Sequence, residues 1–336
     1  MKTNVLITGA GGAAAVSFLN AVRHDLDFTY FMGDIDPFAA GLYLAAEKQR
    51  VILPRGDDNN FVEKLIEICF EHEIDVLVPT VDIELLPIAG SIKMFEDIGV
   101  KVLLADERTL ELCLDKDNLI KCCETFVGVP DSEVLDENFD DSDWQYPLFV
   151  KPRAGSGSRG IMKIDSPIEL AGQIRDGSLL VQEYLDGAEY SVDVIADKNG
   201  KVLATVPRER LKVDSGIAVA SRTLKDEELE IQAKIVADLI GLKYTANIQF
   251  KRNRNGKACL LEVNPRFPGT MPLTVESGVN MPLISLKDVL NMPIDGESLD
   301  WKEIAVVRTW QEHFIKSSEI SDLQKKEQSS FQIQSL

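Results

Sequence analysis

The chain has 336 residues, of which 45% are hydrophobic and 27% charged, as expected for a globular protein of two or three domains. Its formal net charge of −19 argues against nucleic acid or an anionic membrane as a partner, because both bind basic surfaces. No apolar run is long enough for a membrane helix, and the start lacks the basic region and cleavage site of a signal peptide. We therefore expect a cytoplasmic protein without a membrane partner.

The first hundred residues alternate between short apolar segments and helical patterns. Strands are predicted at NVLITGA, FTYFMGDID, DVLVPT and VKVLLAD, and helices over residues 12–23, at NNFVEKLIEICFEHE and over residues 85–98. Strands that alternate with helices indicate a parallel, doubly wound sheet with ligand sites at the carboxyl ends of its strands.

The first strand leads into a glycine-rich turn that nearly matches a dinucleotide-binding motif. Gly9, Gly11 and Ala14 fit the pattern G-x-G-x-x-A, and Asp34 and Asp36 follow where a ribose-binding carboxylate would lie. An NAD-dependent oxidoreductase is therefore one alternative. It rests on this motif alone and leaves the motifs of the second half unexplained.

The second half of the chain is rich in strands. After a helical stretch over residues 108–126, strands are predicted at YPLFVKP, IMKID, LLVQEYL, YSVDVIAD, KVLATVPRERLKV, ANIQFKRN and KACLLEVN. Helices are predicted over residues 166–175 and 226–240, and the turn sequences DKNG and RNRNG indicate antiparallel hairpins. The residues from Lys316 onward are polar, which favours partial disorder.

The five cysteines include no C-x-x-C motif, and the three histidines are scattered along the sequence. Neither a disulfide framework nor a zinc site is indicated, and a reducing compartment fits best. If the protein binds a metal ion, carboxylates and amides must supply the ligands, which favours Mg²⁺.

A group of oxygen donors is predicted in the last hairpin of the second half. Glu262 and Asn264 lie two residues apart on one strand and therefore share a face, and Gln249 lies on the preceding strand. These side chains suit Mg²⁺ bound to phosphate oxygens, and Arg266 would place a guanidinium beside the same phosphates. An E-x-N pair alone is more often part of a solvent-facing hairpin, whereas an arginine between two prolines is less generic.

A glycine-rich loop follows the strand that ends at Lys151. Its backbone N–H groups can approach phosphate oxygens closely, and the loop residues concerned are Gly155, Ser156, Gly157, Ser158 and Gly160. The loop is not a Walker A motif. Taken alone, it is more readily interpreted as a flexible hairpin turn.

A third motif, LLVQEYLDGAEYSVDV, connects two strands through a short hinge. Backbone groups of the hinge at Tyr184 and Leu185 can read the edge of an adenine, with Glu183 accepting from its amino group and Glu189 accepting from ribose hydroxyls. Taken alone, the motif is at least as typical of an acidic turn.

Together and in this order, the three motifs resemble the ATP-grasp superfamily, and most closely the large subunit of carbamoyl phosphate synthetase, over roughly residues 6–280. Where that family has NVQF and EMNPR, this chain has NIQF and EVNPR. The resemblance implies an α/β chain (α+β overall) with a Rossmann-like pre-ATP-grasp domain followed by a two-subdomain ATP-grasp fold. The implied limits are 1–108 for the first domain, 109–186 for the small lid subdomain, 187–315 for the subdomain with the metal site and 316–336 for a polar tail.

The resemblance also implies cofactors and site residues. The cofactors are ATP and two Mg²⁺ ions, for which Mn²⁺ can substitute. The implied metal ligands are Gln249, Glu262 and Asn264. The implied catalytic residues are Arg266, Lys151 and the looser match Lys212. The implied nucleotide contacts are Lys116, Lys151, Gly155, Ser156, Gly157, Ser158, Gly160, Glu183, Tyr184, Leu185, Glu189 and Gln249.

The chain corresponds to one half of the tandem synthetase and so looks more like the stand-alone ligases of this branch, such as the amino-acid ligase of the pyrrolysine pathway. The implied reaction activates a small carboxylate with ATP and joins it to an amine, both small-molecule substrates. A bicarbonate-activating enzyme and a non-catalytic ATP-binding protein are the alternatives, and a homodimer is left open. Arg208, Arg210 and Arg222 are candidates for binding a substrate carboxylate, although each is expected to be a surface arginine.

Overall fold

The computed structural model describes residues 2–155, 160–294 and 296–332. The chain divides into two units, each described by itself below. The first unit contains Met1–Glu107, Arg266–Leu299 and Arg308–Leu336, and the second contains Arg108–Pro265 and Asp300–Val307.

The strands, in chain order, are β1 (Thr3–Ile7), β2 (Phe28–Asp34), β3 (Arg50–Ile52), β4 (Val76–Val78), β5 (Lys101–Val102), β6 (Ser132–Leu135), β7 (Leu148–Pro152), β8 (Met162–Ile164), β9 (Leu179–Glu183), β10 (Glu189–Ala196), β11 (Val202–Asp214), β12 (Ile217–Thr223), β13 (Thr245–Arg252), β14 (Ala258–Asn264) and β15 (Ala305–Val307). The α-helices are α1 (Ala13–Val22), α2 (Phe61–Glu71), α3 (Asp82–Ala89), α4 (Ile92–Asp97), α5 (Glu107–Leu114), α6 (Lys116–Cys123), α7 (Pro167–Ala171), α8 (Glu227–Ile240), α9 (Pro272–Ser277), α10 (Met281–Val289) and α11 (Ser317–Gln332).

The first unit is built on a parallel sheet with the strand order β3-β2-β1-β4-β5. The central strand β1 is fully buried from Val5 to Ile7, as expected for a parallel sheet covered on both faces. The order reverses between β1 and β4, so the carboxyl ends of these two strands form the switch point of the sheet. The predicted mixed α/β fold with a parallel N-terminal sheet is confirmed.

Two predicted helices are each interrupted. The helix predicted over residues 85–98 forms as α3 and α4, which are separated by Gly90 and Ser91. The stretch predicted over residues 108–126 forms as α5 and α6, because the side chain of Asp115 accepts hydrogen bonds from the backbone N–H groups of residues 117 and 118 and caps α6.

The segment after β14 packs within the first unit. The ring of Phe267 meets Phe18 of α1 edge-on at 4.8 Å, and the hydroxyl of Ser17 donates to the carbonyl of Gly269. In α10, the N-cap residue Asn280 donates to the carbonyl of Ala21. Residues 266–299 therefore belong to the first unit, and the predicted limits of the subdomain 187–315 stay a prediction.

The polar C-terminal segment also differs from the expected partial disorder, because it forms the helix α11 through Gln332. Leu323 of this helix is 4% exposed. The carboxylate of Glu319 pairs with Arg50 of β3 at 2.7 Å, which anchors the helix to the first unit. The helical pattern was missed because so few apolar residues lie along it.

The second unit contains an antiparallel sheet with the order β14-β13-β10-β11-β12-β15. One face of this sheet packs on α8, and its core includes Val192, Val194, Ile248 and Phe250. Helix α8 begins at the N-cap Asp226 and ends at Gly241, whose φ of 67° is the left-handed conformation favoured for glycine. The other face carries the polar side chains described below.

A smaller antiparallel sheet in the same unit has the order β6-β9-β7-β8. Its core contains Leu135, Leu148, Val150 and Val181. Strands β3, β6, β12 and β15 were not predicted. Strands β3 and β15 have three residues each and β6 has four, which is too short to show an alternating pattern, and β12 begins with four consecutive apolar residues.

The glycine turn after β1 uses one of the two predicted ribose-binding carboxylates. Asp34 accepts a hydrogen bond from the backbone N–H of Gly11 at 2.7 Å, and its second oxygen accepts from the N–H of Asp36. The carboxylate therefore holds the turn against the end of β2, which is a structural role.

A buried carboxyl group lies at the switch point of the parallel sheet. Glu84, which is 4% exposed, accepts a hydrogen bond of 2.5 Å from the hydroxyl of Thr8, and Thr8 in turn accepts from the backbone N–H of Thr80. Burial raises the pKa of Glu84 to about 7, and the charge of Asp34 acts in the same direction, although the Thr8 hydrogen bond opposes it.

We expect Glu84→Gln to stabilise the protein at alkaline pH. The folded state holds the Glu84 proton up to about pH 7, whereas the unfolded chain releases it near 4.5, so this group lowers the stability of the wild type as pH rises between those values. The glutamine does not ionise. Its advantage in the free energy of unfolding should be near zero at pH 4.5 and about 1 to 3 kcal/mol at pH 8, measured by chemical denaturation. An advantage independent of pH would contradict this account.

Candidate active site

A row of polar side chains crosses one face of the large sheet in the second unit. In register, Glu262 of β14 lies opposite Gln249 of β13, Gln249 opposite Ser191 of β10, and Ser191 opposite Arg208 of β11. Paired residues of antiparallel strands project from the same face. The apolar packing of the opposite face on α8 fixes which side these residues take.

The predicted metal ligands lie at the β14 end of this row. Asn264 donates from Nδ2 to Oε1 of Glu262 at 3.2 Å, and Gln249 is the cross-strand partner of Glu262. The Glu262 side chain is 25% exposed, so its carboxylate is accessible. A carboxylate and two amide oxygens suit a hard cation such as Mg²⁺.

Among the described residues, no group of three or more His, Cys, Asp and Glu side chains is arranged to hold a metal ion. The predicted site is not such a group, because two of its three side chains are the amides of Gln249 and Asn264. The ligand roles of Gln249, Glu262 and Asn264 remain predictions that the donor chemistry fits.

Two lysines face the same carboxylate. The Nζ of Lys116, at the start of α6, lies 3.9 Å from Oε2 of Glu262 and donates to the carbonyl of Gly155 at 2.6 Å. Lys151 of β7 is 4% exposed and donates to the carbonyl of Leu261 at 3.1 Å. The structure therefore brings both predicted phosphate-binding lysines next to the predicted metal ligand.

Burial lowers the pKa of Lys151 to about 8, and the nearby charge of Lys116 lowers it further, whereas the charge of Glu262 opposes the shift. The charged form of a buried lysine is unfavourable unless an anion lies beside it. Perturbed groups of this kind are typical of functional sites.

Asp115 positions Lys116 and was not among the predicted site residues. Besides capping α6, it accepts hydrogen bonds from Nε of Arg153, and its backbone forms an isolated bridge with Ala154. Burial favours the neutral carboxyl, but the hydrogen bonds from Arg153 and from the helix N-terminus prevail and lower the pKa of Asp115. The sequence signal that could have identified Asp115 is its place as an N-cap residue directly before Lys116, a predicted phosphate contact.

The predicted adenine hinge follows β9. The Glu183 side chain accepts a hydrogen bond from the backbone N–H of Asp131, and Leu185 is buried. The Tyr184 ring has two cations near it, with Nζ of Lys163 and Nζ of Lys251 at 5.5 Å and 5.6 Å from its centroid. Both lysines are therefore within cation–π distance of the ring.

The structure describes some of the remaining predicted nucleotide contacts. Glu189 begins β10, and one of its oxygens lies 3.2 Å from Nε of Arg210. Gly155 and Gly160 have φ values of 115° and 70°, which favour glycine, and a Cβ at Gly160 would meet the Pro152 side chain at 3.0 Å. The predicted contacts Ser156, Gly157 and Ser158 lie outside the described residues.

Lys212 and Arg266 are the other two predicted catalytic residues. Lys212 is exposed near the end of β11, beyond a register irregularity that begins at Arg210. Arg266 belongs to the first unit, where its Nε and Nη2 donate to the carboxylate of Asp82 at 2.6 Å and 3.1 Å. The roles of both residues remain predictions.

The three candidate arginines for a substrate carboxylate are each paired with a carboxylate of the protein. Arg222 is exposed and pairs with Glu209, as expected for a surface arginine. Arg210 is near Glu189 and donates to the carbonyl of Gly216. Arg208 is fully buried, contrary to the expectation of a surface residue, because it pairs with the buried Asp193.

Two known protein families each match part of the chain. Residues 175–313 match the family model described as ATP-grasp in the biosynthetic pathway with Ter operon, and residues 5–103 match the N-terminal domain of the PylC-like family. The chain carries an ATP-grasp domain. The segment matched to the ATP-grasp family contains the hinge, the polar face of the large sheet and the residues from Gln249 to Arg266.

Curated relatives of parts of the chain include carbamoyl phosphate synthase large chains. The arginine-specific large chain of Geobacillus stearothermophilus is 33% identical over 161 residues, which are 43% of this chain and 15% of that protein. The chain thus spans a small part of the length of the curated relatives it matches.

Solved structures share the fold of this chain at low sequence identity. The biotin carboxylase domain of 2-oxoglutarate carboxylase from Hydrogenobacter thermophilus, solved with MgADP, ADP and bicarbonate, has a TM-score of 0.71 and 18% identity over 90% of this chain and 72% of that one. The L-amino acid ligase of Bacillus licheniformis has a TM-score of 0.62 and 18% identity over 86% of this chain and 74% of that one. Within the part of the chain that the structure describes, no helix is long and apolar enough to cross a membrane.

Proposed function

We propose that the protein is an ATP-dependent ligase that converts a small carboxylate, such as that of an amino acid, into an acyl phosphate and joins it to an amine, releasing ADP and phosphate. The observation that carries the proposal is the convergence of Lys116 and the buried Lys151 on Glu262, with Gln249 and Asn264 beside it. Cations beside a carboxylate with amide oxygens suit a nucleotide phosphate and its metal ions.

Gln249, Glu262 and Asn264 would hold the metal, which we propose to be two Mg²⁺ ions with Mn²⁺ able to substitute. Bound there, the ions would offset the negative charge of the phosphate oxygens. Lys116 and Lys151 contribute positive charge from positions fixed by α6 and β7. In phosphoryl transfer such positioning and neutralisation supply most of the catalysis.

Around this centre, we assign the adenine to the hinge at Glu183, Tyr184 and Leu185, and the ribose to Glu189. We assign contacts with the phosphates to Gly155, Ser156, Gly157, Ser158 and Gly160, because backbone N–H groups at glycines can approach phosphate oxygens closely. Arg266 would contact the transferred phosphate, and Lys212 would assist it. The reaction needs no side-chain nucleophile.

Support for the ligase comes from the shared fold with the L-amino acid ligase of Bacillus licheniformis. A second candidate substrate is bicarbonate, favoured by the relation to carbamoyl phosphate synthase and by the neighbour solved with bicarbonate. That neighbour is also described as a dimer, so a homodimer belongs to the proposal, as does a cytoplasmic location.

The test is a measurement of ADP release with MgATP in the presence of amino acids, singly and in pairs, and of bicarbonate with and without ammonia. We expect an amino-acid pair to raise ADP release at least about tenfold above the rate with ATP alone. A rise with bicarbonate only would favour the second candidate. MgATP binding without any rise would contradict a ligase and favour an ATP-binding protein.

A further inference from the structure

Arg153, which follows strand β7, forms an ion pair with the N-cap residue of α6. Its Nε lies 2.9 Å and 3.0 Å from the two carboxylate oxygens of Asp115, and its Nη2 lies 2.8 Å from one of them. The two side chains are 32% and 25% exposed, and solvent screening limits what such a pair contributes to stability. Neither residue is among the proposed nucleotide and metal contacts, but both lie next to one of them, Lys116.

The backbone of Arg153 also holds the start of α6. Its carbonyl accepts a hydrogen bond of 3.0 Å from the backbone N–H of Lys116, and the neighbouring residues Ala154 and Asp115 form an isolated β-bridge. The N–H of Arg153 donates in turn to the carbonyl of Ser178, directly before β9. The first turn of α6 is therefore attached to the small sheet through Arg153.

The Lys116 side chain extends from this attachment to the proposed phosphate site. Its Nζ donates to the carbonyl of Gly155 at 2.6 Å and lies 3.9 Å from Oε2 of Glu262. Lys116 is the first residue of α6, and the ends of helices fray. Because both its backbone N–H and its ammonium group are bonded within residues 153–155, the place of the ammonium depends on how this segment holds the helix.

We infer that Arg153 is a positioning residue for the binding of the nucleotide phosphates. Through its ion pair with Asp115 it keeps the first turn of α6 on residues 153–155, and thereby keeps the ammonium of Lys116 beside Glu262. A planar guanidinium bonded twice to a carboxylate fixes the orientation of the two groups, which a point charge does not. The inference rests on the proposed function, because it concerns how the same site holds the phosphates.

Asp115→Asn separates positioning from simple electrostatics. Asparagine caps a helix as well as aspartate does, so α6 keeps its N-cap while the ion pair with Arg153 is lost. The substitution also removes a negative charge beside a site for phosphates, and that change alone would strengthen nucleotide binding. Weaker binding would therefore mean that the carboxylate acts through the placement of Lys116. Arg153→Gln breaks the same pair from its other side.

The matched control is Asp226→Asn on α8. Asp226 is also an N-cap residue paired with an arginine, with one of its oxygens 2.5 Å from Nη2 of Arg252. Arg252 shares its face of β13 with Phe250, which packs on α8, whereas the proposed metal ligands lie on the opposite face. The control thus makes the same change of charge at a helix start away from Lys116.

MgADP affinity is measured by calorimetric titration, and each variant is checked for folding by circular dichroism. We expect Asp115→Asn and Arg153→Gln each to bind MgADP about tenfold more weakly than the wild type, and the control to bind it equally well. Lys116→Met should bind it at least about tenfold more weakly. Adding Arg153→Gln to Lys116→Met should change the affinity by less than about twofold, because the side chain that Arg153 positions is already gone.

MgADP binding by Asp115→Asn as tight as that of the wild type, or tighter, would overturn the inference. So would a further loss when Arg153→Gln is added to Lys116→Met, since Arg153 would then contact the nucleotide itself. An equal loss in Asp226→Asn would also overturn it, because the effect would be common to helix starts. If Lys116→Met bound MgADP like the wild type, the proposed phosphate role of Lys116 would fail together with the inference, whereas a weakened Lys116→Met beside an unchanged Arg153→Gln would contradict the inference alone.

Discussion

Glu262→Gln should abolish most of the MgATP turnover while leaving the fold intact. The substitution keeps the shape of a side chain that is 25% exposed but removes the only charge among the three proposed metal ligands. Losing one preorganised electrostatic contact to a phosphoryl transition state costs about a hundred- to a thousandfold in rate. We expect ADP release to fall by about that factor, with the largest deficit at limiting Mg²⁺.

The matched control is Glu133→Gln on β6, which removes an exposed carboxylate of the same unit. It should keep wild-type turnover and Mg²⁺ dependence. If Glu262→Gln turned over ATP at the wild-type rate, the proposed metal site would be wrong. If the variant were inactive at every Mg²⁺ concentration but bound MgADP as tightly as the wild type, Glu262 would act otherwise than as a metal ligand.

Lys151→Met should stabilise the protein and at the same time weaken nucleotide binding. Burial makes the charged form of Lys151 unfavourable, as its pKa of about 8 indicates. Methionine fills a similar volume without a charge. We expect the free energy of unfolding of the apo protein to rise by about 1 to 3 kcal/mol at pH 7. MgADP affinity should fall by about a hundredfold, because a buried cation beside a phosphate is lost.

The stability difference between Lys151→Met and the wild type should depend on pH. Between about pH 8 and 10.5 the unfolded chain holds the Lys151 proton and the folded state does not, so wild-type stability rises with pH in that interval. The advantage of Lys151→Met should therefore be full below pH 8 and shrink above it. Lys234→Met, which replaces an exposed lysine of α8, serves as the control and should change neither quantity. A destabilised Lys151→Met variant would show that the bond to the carbonyl of Leu261 outweighs the burial of charge.

Much of the fold was predictable because its signals are local. The alternation of apolar strands and helices predicted the parallel sheet, and the capping residues Asp226 and Gly241 fixed the limits of α8. The break at Gly90 and Ser91 was missed because the apolar pattern continues across it. Strand β15 pairs with β12, far away in sequence, and no local pattern could indicate that pairing.

In the candidate site, too, local features could be predicted from the sequence and contacts between distant residues could not. The spacing of Glu262 and Asn264 predicted a shared face, and the hairpin made Gln249 a plausible neighbour. The burial of Arg208 depended on the register of β10 with β11, which places Asp193 within reach, and an arginine by itself predicts exposure. The pairing of Arg266 with Asp82 spans 184 residues and was equally beyond local reasoning.

The chain passes between its two units at four places, after residues 107, 265, 299 and 307. Neither unit is therefore encoded by one uninterrupted stretch of the gene. A fragment that stops at residue 265 keeps the proposed metal ligands but lacks β15 and both later segments of the first unit. Expression of either unit alone would require joining distant segments with new linkers, so the natural unit of expression for biochemistry is the whole chain.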